Sequence, residues 1–420
     1  MTHTHNAHFH PQHTPRRAVL RLFGAGGVAL GLGGLAGWPL ASQAAGSAEP
    51  DAQPRLVVVL LRGALDGLAA VPALGDPAWA GLRGAQRYRT DGTADNTAAP
   101  LPLDSTFALH PALAELHRWY TQRELLVLHA VASPYRERSH FDAQQMLEAG
   151  SDKPFALATG WLGRALQARR QSAVALETAM PLGLRGADLA SSWSPGRAAR
   201  LSDDTLARLT RMYEGDAALS RAWALATDST LGMAAASKDS GNSSGMRPGG
   251  GNDNNDWAAL LKQAGSFLTM PGGPRVAWLD TDGWDTHSQQ EARLGRLLPR
   301  LDQGLAALKT ALGGAWASTT VLVMTEFGRT AAPNGTGGSD HGTGTVALLA
   351  GGAVAGGRVL CDWPGLDARQ LLAGRDLRPT LDIRGLLAAV AERQFGLPAS
   401  AVRRDIVPGA QVWSTPLWRS

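Results

Sequence analysis

The sequence predicts an α/β protein, with a mostly parallel sheet covered by helices on both faces. Apolar runs rich in β-branched residues read as strands buried on both sides. These runs alternate along the chain with segments of helical periodicity, the signature of parallel strands joined by helical crossovers. The composition supplies the core: 44% of the 420 residues are hydrophobic and 18% are charged, which excludes a disordered chain. Fifty glycines and thirteen tryptophans fit neither a coiled coil nor a simple helical bundle.

The first strand is Arg55–Leu61, ending in a turn from Arg62 to Gly67 that contains Asp66. A second run, Leu125–Val131, opens into Ser133–His140. A helix is expected from Ser139, with Asp142 three residues on in the manner of a capping box. Pro274–Asp280, Thr319–Thr325 and Thr345–Ala350 are the remaining strands. Helical patterns cover 110–121, 157–169, 203–227, 255–268, 287–311 and 380–395. The stretch 235–256 is of low complexity and reads as a surface loop or insertion without catalytic residues. No internal repeat and no Walker or dinucleotide glycine pattern occurs.

Residues 1–45 read as an export signal. Arg16-Arg17 precede a glycine-laced apolar stretch to about Leu40, and small residues follow around Ala44. Paired arginines before a weakly apolar segment mark a twin-arginine signal, with the twin-arginine translocase as partner during export. The segment falls short of the ~20 residues that span a bilayer, so the expected product is periplasmic or secreted, without a stable membrane span. Arg16, Arg17 and Arg21 are the only charges before residue 45; of 40 Lys+Arg and 36 Asp+Glu, 37 and 36 remain. So near-neutral a chain gives no electrostatic reason to bind nucleic acid. The single cysteine, Cys361, excludes an intrachain disulfide and a cysteine-based zinc cluster.

Outside the signal there are six histidines, at 110, 117, 129, 140, 287 and 341. Two stand among acids in loops after strands: Asp280-Thr-Asp282-Gly-Trp-Asp285-Thr-His287 and Ser339-Asp340-His341-Gly342. In a parallel sheet such loops converge on one crevice at the carboxyl ends of the strands. Carboxylates and imidazoles without thiolates suit a divalent metal, whether zinc, manganese, magnesium or calcium. Asp66, Asp282, Asp285, His287, Glu326, Asp340 and His341 are the candidate ligands, and His287 and His341 should reach one shared cation. Asp285 to His287 also fits a helix start. Ser139 fits a cap as well as a nucleophile, His140 a ligand as well as a wall residue. Arg62 and Arg329 could clamp an anion or hold the carboxylates.

Arg62-Gly-(x)2-Asp-Gly67, Arg138-Ser-His-Phe-Asp-Ala-Gln144, Thr159-Gly-Trp-Leu162, Gly283-Trp-Asp-Thr-His287, Glu326-Phe-Gly-Arg-Thr330 and Gly337-Gly-Ser-Asp-His-Gly342 follow in order. In these motifs the chain resembles the uncharacterised secreted family called domain of unknown function 1501, grouped with the alkaline phosphatase and sulfatase superfamily. The resemblance spans about 55–410. It implies one alkaline-phosphatase-like domain, a three-layer α/β/α sandwich with a metal site at the strand ends. It also implies an exported metal-dependent hydrolase of phosphate or sulfate esters, acting on an anionic small-molecule or polymer ester. Ser139 would fall at the nucleophile position, with Arg62 and Arg329 on the anion. Phe327 stands where the superfamily has a second metal's histidine, and Gly283 where it has an aspartate. A non-catalytic envelope binding or assembly protein with a degenerate metal site is the alternative.

Overall fold

Every residue of β1 (Arg55–Leu61) is buried, and its side chains divide by parity. Val57, Val59 and Leu61 join one apolar cluster; Leu56, Val58 and Leu60 join another. A strand whose alternate residues both find apolar partners lies in a sheet covered on two faces.

The computed structural model describes residues 53–93, 96–195, 203–216, 220, 254–411, 413 and 415–419. The expected signal at 1–45 lies outside them, as does the low-complexity stretch up to 253. After β1 come β2 (Leu101–Pro102) and β3 (Ala108–Leu109), a small antiparallel ribbon. Then follow β4 (Leu125–Ala132), β5 (Ala173–Ala175), β6 (Ala190–Ser192), β7 (Val276–Thr281) and β8 (Thr319–Met324). The last strands are β9 (Thr345–Ala350), β10 (Arg358–Leu360) and β11 (Leu381–Asp382). The main sheet has nine strands in the order β10-β4-β9-β8-β1-β7-β5-β6, with β11 also on β4. Among the described residues β9 alone runs against its neighbours; all other pairings in this sheet are parallel.

Helices cover both faces. Along the chain they are α1 (Gly67–Ala70), α2 (Trp79–Arg83), α3 (Ala114–Thr121), α4 (His140–Ala149) and α5 (Trp161–Arg169). Beyond these lie α6 (Asp203–Tyr213), α7 (Asn254–Thr269), α8 (Gln290–Leu312) and α9 (Ile383–Phe395). Leu116 of α3, Leu261 of α7 and Leu298 of α8 pack in the first cluster. Leu147 of α4, Leu166 of α5 and Leu387 of α9 pack in the second. The result is a three-layer α/β/α sandwich with a mostly parallel central sheet. Truncating one of these leucines, such as Leu298→Ala, should cost about 2–5 kcal/mol.

The five expected strands are present within two residues at each end. The capping box at α4 is not formed: the Ser139 side chain makes no cap, and Asp142 accepts from Tyr135 Oη at 2.9 Å instead. α8 begins at Gln290, three residues later than expected, because Gln289 takes a left-handed φ of 50°. α6 ends at Tyr213, ahead of a turn with Gly215, and the rest of the expected stretch to 227 lies, Ser220 apart, outside the described residues.

Candidate metal centre

β1 pairs in parallel with β7 and β8, and β4 runs the same way because β9 is antiparallel to both β4 and β8, so the carboxyl ends of β1, β4, β7 and β8 lie at one edge. The loops leaving them carry Arg62–Asp66, Ser133–Ser139, Asp282–Gln289 and Thr325–Gly344. Two glycines let these loops touch. Gly63, at φ 114°, lies so near the Asp285 backbone that a Cβ would sit 2.5 Å from its nitrogen. A Cβ on Gly338 would fall 2.2 Å from the His287 carbonyl. A side chain at either place would push the loops apart.

Three imidazoles and one carboxylate meet at this edge. His341 Nε2 lies 3.0 Å from His140 Nε2 and 3.0 Å from His287 Nε2. Asp285 Oδ1 is 3.0 Å from His287 Nε2 and 3.4 Å from His341 Nε2, and its Oδ2 is 3.5 Å from His140 Nε2. Two triangles of donor atoms therefore share the His341–Asp285 edge.

The opposite ring nitrogens all face oxygen. His140 Nδ1 donates to Glu326 Oε1 at 2.7 Å, His341 Nδ1 to the Arg138 carbonyl at 3.0 Å, and His287 Nδ1 to Asp340 Oδ1 at 3.3 Å. Those acceptors put a proton on each Nδ1, so in each neutral ring the lone pair sits on Nε2. Lone pairs 3.0 Å apart repel unless a proton or a cation lies between them. Three such nitrogens and a carboxylate exceed what one proton can serve.

Electrostatics sharpen the picture. The hydrogen bond to Glu326 holds the His140 pKa above the usual histidine value, against the effect of burial. Burial lowers that of His341, and the charges of His140 and Arg329 lower it further. Burial would raise Asp285, but the hydrogen bond and charge of Arg329 hold it below the ordinary range. Phe327 is the floor, its ring 4.9 Å from that of His140 and 5.2 Å from that of His341.

The remaining candidates take other places. Glu326 is buried; its Oε1 accepts from Gly63 N, Gln144 Nε2 and His140 Nδ1, all within 2.8 Å. Arg329 has no exposed side-chain surface; it donates to Asp285 Oδ1 at 2.5 Å and to Ser339. Arg62 spends its nitrogens on Asp280, Gln144 and Glu148. Asp66 is buried, caps α1 and pairs with Arg83 at 2.9 Å. Asp282 is exposed and outside the cluster. Asp340 supports His287 from the surface. His140 is in the cluster; its sequence signal was a Ser-His pair at a helix start after a strand. His110 and His129 are buried away from it, with pKa values pushed down to about 4 chiefly by burial.

Residues 120–406 match the family model described as "Protein of unknown function (DUF1501)". That is more than half of the chain. The chain belongs to this family. No curated protein matches it in sequence. Solved structures that overlap it include the phosphonate monoester hydrolase of Agrobacterium radiobacter, at 11% identity and a TM-score of 0.39, covering 87% of this chain and 79% of that one. Ps i-CgsB in complex with k-i-k-neocarrahexaose overlaps at 10% identity and a TM-score of 0.43, over 84% and 74%. The C-terminal periplasmic domain of EcEptC from Escherichia coli, in complex with zinc, overlaps at 8% identity and a TM-score of 0.36, over 72% and 75%. At such scores no residue's role passes from those proteins to this family member. Among its described residues no helix is long and apolar enough to cross a membrane.

Proposed function

We propose that this protein is an exported, metal-dependent hydrolase of phosphate or sulfate esters, with His140, His287, His341 and Asp285 holding the cation. One observation carries the reading: three Nε2 lone pairs and a carboxylate converge, while each Nδ1 is committed to an oxygen. Bonds of ~2.0–2.1 Å to a tetrahedral zinc imply ligand–ligand edges of roughly 3.3 Å, and the contacts of 3.0–3.5 Å fit such edges. Three imidazoles favour zinc or another imidazole-binding metal over magnesium or calcium. When bound, the cation supplies Lewis acidity toward an ester oxygen.

The chain's own residues supply the rest. Glu326, the Arg138 carbonyl and Asp340 fix the ring tautomers, the usual task of groups behind a metal's histidines. Ser139 is our candidate nucleophile: it precedes His140 in the chain and its hydroxyl is not used as a cap. Tyr135, four residues earlier, donates its Oη–H to Asp142 Oδ2 at 2.9 Å. As Oγ bonds to phosphorus or sulfur, its proton goes to solvent water, the bond to the ester oxygen breaks, and the departing alkoxide takes a proton from water, so that one alcohol leaves for each serine esterified. The ester class, and export by the twin-arginine route, rest on the sequence resemblance and on Arg16-Arg17.

A second reading is favoured by one observation. Arg62 and Arg329, the guanidiniums expected to grip an anion, are taken up by the protein's own acceptors. A metal-holding envelope protein without turnover would have no use for free ones. Purified protein loaded with zinc or manganese, analysed for bound metal and assayed on p-nitrophenyl phosphate, bis(p-nitrophenyl) phosphate and p-nitrophenyl sulfate, separates the two. We expect about one metal per chain and turnover of at least one ester. Metal without turnover selects the binding protein, and absence of metal overturns both.

A further inference from the structure

The His287–His341 contact joins two loops that leave different strands, β7 and β8; the backbone joins them too, from Ser339 N to the Thr286 carbonyl at 3.2 Å and from Gln290 N to the Gly337 carbonyl at 2.8 Å. Behind it, away from solvent, lies a ring of buried polar groups. Gln290 is its centre: Nε2 donates to Asp66 Oδ2 at 2.8 Å, and Oε1 accepts from Thr286 Oγ1 at 2.8 Å and from Ser339 Oγ at 2.5 Å. Thr286 sits between Asp285 and His287; Ser339 immediately precedes Asp340 and His341. Arg329 closes the ring, from Nε to Ser339 Oγ at 3.3 Å and from a terminal nitrogen to Asp285. Thr286 and Ser339 have no exposed surface, and Gln290 is 7% exposed.

We infer that Gln290 is a positioning residue that sets the distance between the two histidine loops, with Asp66 as its anchor. The inference rests on the metal reading above and deepens it. The chemistry is specific to an amide. Its carbonyl takes one hydroxyl from each loop, while its NH2 needs a fixed acceptor to stop the group turning over. Asp66 is that acceptor, itself pinned by the charge of Arg83 and by the Ala69 amide. Asp66 thus acts on the centre through Gln290 and Ser339 rather than by touching a cation. Because Gln290, Thr286 and Ser339 are buried, replacing the amide takes from Thr286 Oγ1 its acceptor and leaves Ser339 Oγ only its 3.3 Å contacts with Asp66 and Arg329, and the loops must shift to compensate.

The test uses Gln290→Met, similar in shape but unable to bond, with Thr286→Val as the milder break of one link. Cobalt(II) is the probe. Its affinity is measured by titration and its coordination by the visible absorption of the bound ion. In both metal-free variants, 15N spectra of the imidazoles report the tautomers of His287 and His341. We expect about 10–100-fold weaker cobalt binding in Gln290→Met, an altered cobalt spectrum, and loss of the single Nδ1–H form at His287. Thr286→Val should show the same changes at smaller size. Unchanged affinity, spectrum and tautomers in a folded Gln290→Met overturn the inference, even if its melting temperature falls. If the unsubstituted protein takes up no cobalt, the metal reading fails, and the imidazole spectra alone decide whether Gln290 sets the loops. Should Gln290→Met not fold, the same readouts on Thr286→Val decide.

Discussion

Two groups of charge stand side by side at the carboxyl edge of the sheet, and Gln144 touches both. On one side are the imidazoles, Asp285 and Glu326; on the other are Arg62, Asp280, Glu148 and Glu177. Gln144 donates to Glu326 and accepts from Arg62, each at 2.8 Å. In the arginine group donors and acceptors match. Asp280 takes Arg62 on one oxygen and Trp278 Nε1 on the other, and Glu148 takes Arg62 and the Gly183 amide. In the imidazole group the Nδ1 side is matched, and the Nε2 side leaves acceptors facing acceptors. Acids after strands are common to both. What separates a site from a scaffold is the lone pair left without a donor.

The comparison can be broken at several points. The largest effect is expected at His341, which belongs to both donor triangles. His341→Ala should abolish stoichiometric metal binding and lower ester turnover by about a thousandfold or more, read by metal analysis and initial rates. On the other side, Arg62→Met should act on stability. It strands the buried charges of Asp280 and Glu148, which typically costs about 3–5 kcal/mol. Urea unfolding would show the loss, while whatever remains folded should bind metal in the same ratio. If Arg62→Met instead spares stability and empties the metal site, the two groups are one. Smaller again is Glu326→Gln, which keeps an acceptor for His140 but removes its charge. Metal affinity should fall about 10–100-fold, measured by competition with a chelator; the urea midpoint should fall as well, because, against burial, hydrogen bonds from His140 and Gln144 hold the Glu326 pKa below its ordinary value.

Much of this was legible from sequence, and the reasons are local. β1, β4, β7, β8 and β9 are apolar over most of their length, so burial on two faces is written into each. β5, β6, β10 and β11 are two or three residues long, too short for any period to register. The loops of the site followed from their position after strands. The division of labour within them did not. Whether Glu326 faces a cation or the back of His140 depends on which ring nitrogen it meets, and that is decided by the packing of α4 against the β8 loop. In sequence Arg62 and Arg329 could clamp an anion or hold carboxylates, and the choice stayed open because their partners, Asp280, Glu148 and Asp285, come from distant parts of the chain. Gln290 carries no signal at all, since a glutamine at a helix start is ordinary until the fold brings Asp66, Thr286 and Ser339 around it.

The smallest effect tests the scaffold side by pH. Burial first, and then the charge of Asp280, push Glu177 from 4.5 up to about 7; burial lifts Asp280 from 3.8 to about 6 despite Arg62. Between the unfolded and folded pKa values the folded protein holds more protons than the unfolded chain. Stability contributed by Glu177 therefore falls as pH rises from about 4.5 to about 7 and stays level above that. Glu177→Gln keeps an oxygen for the Asp280 amide, which donates to Glu177 Oε1 at 2.8 Å, and carries no charge. The variant should be more stable than the parent by roughly 2 kcal/mol at pH 8, and the two curves should converge below about pH 4. Parallel curves would mean that the fold does not feel this carboxylate, and the matched group would then owe its order to Arg62 alone. Metal affinity should be the same in both proteins, since Glu177 bonds into the arginine group and not to the imidazoles.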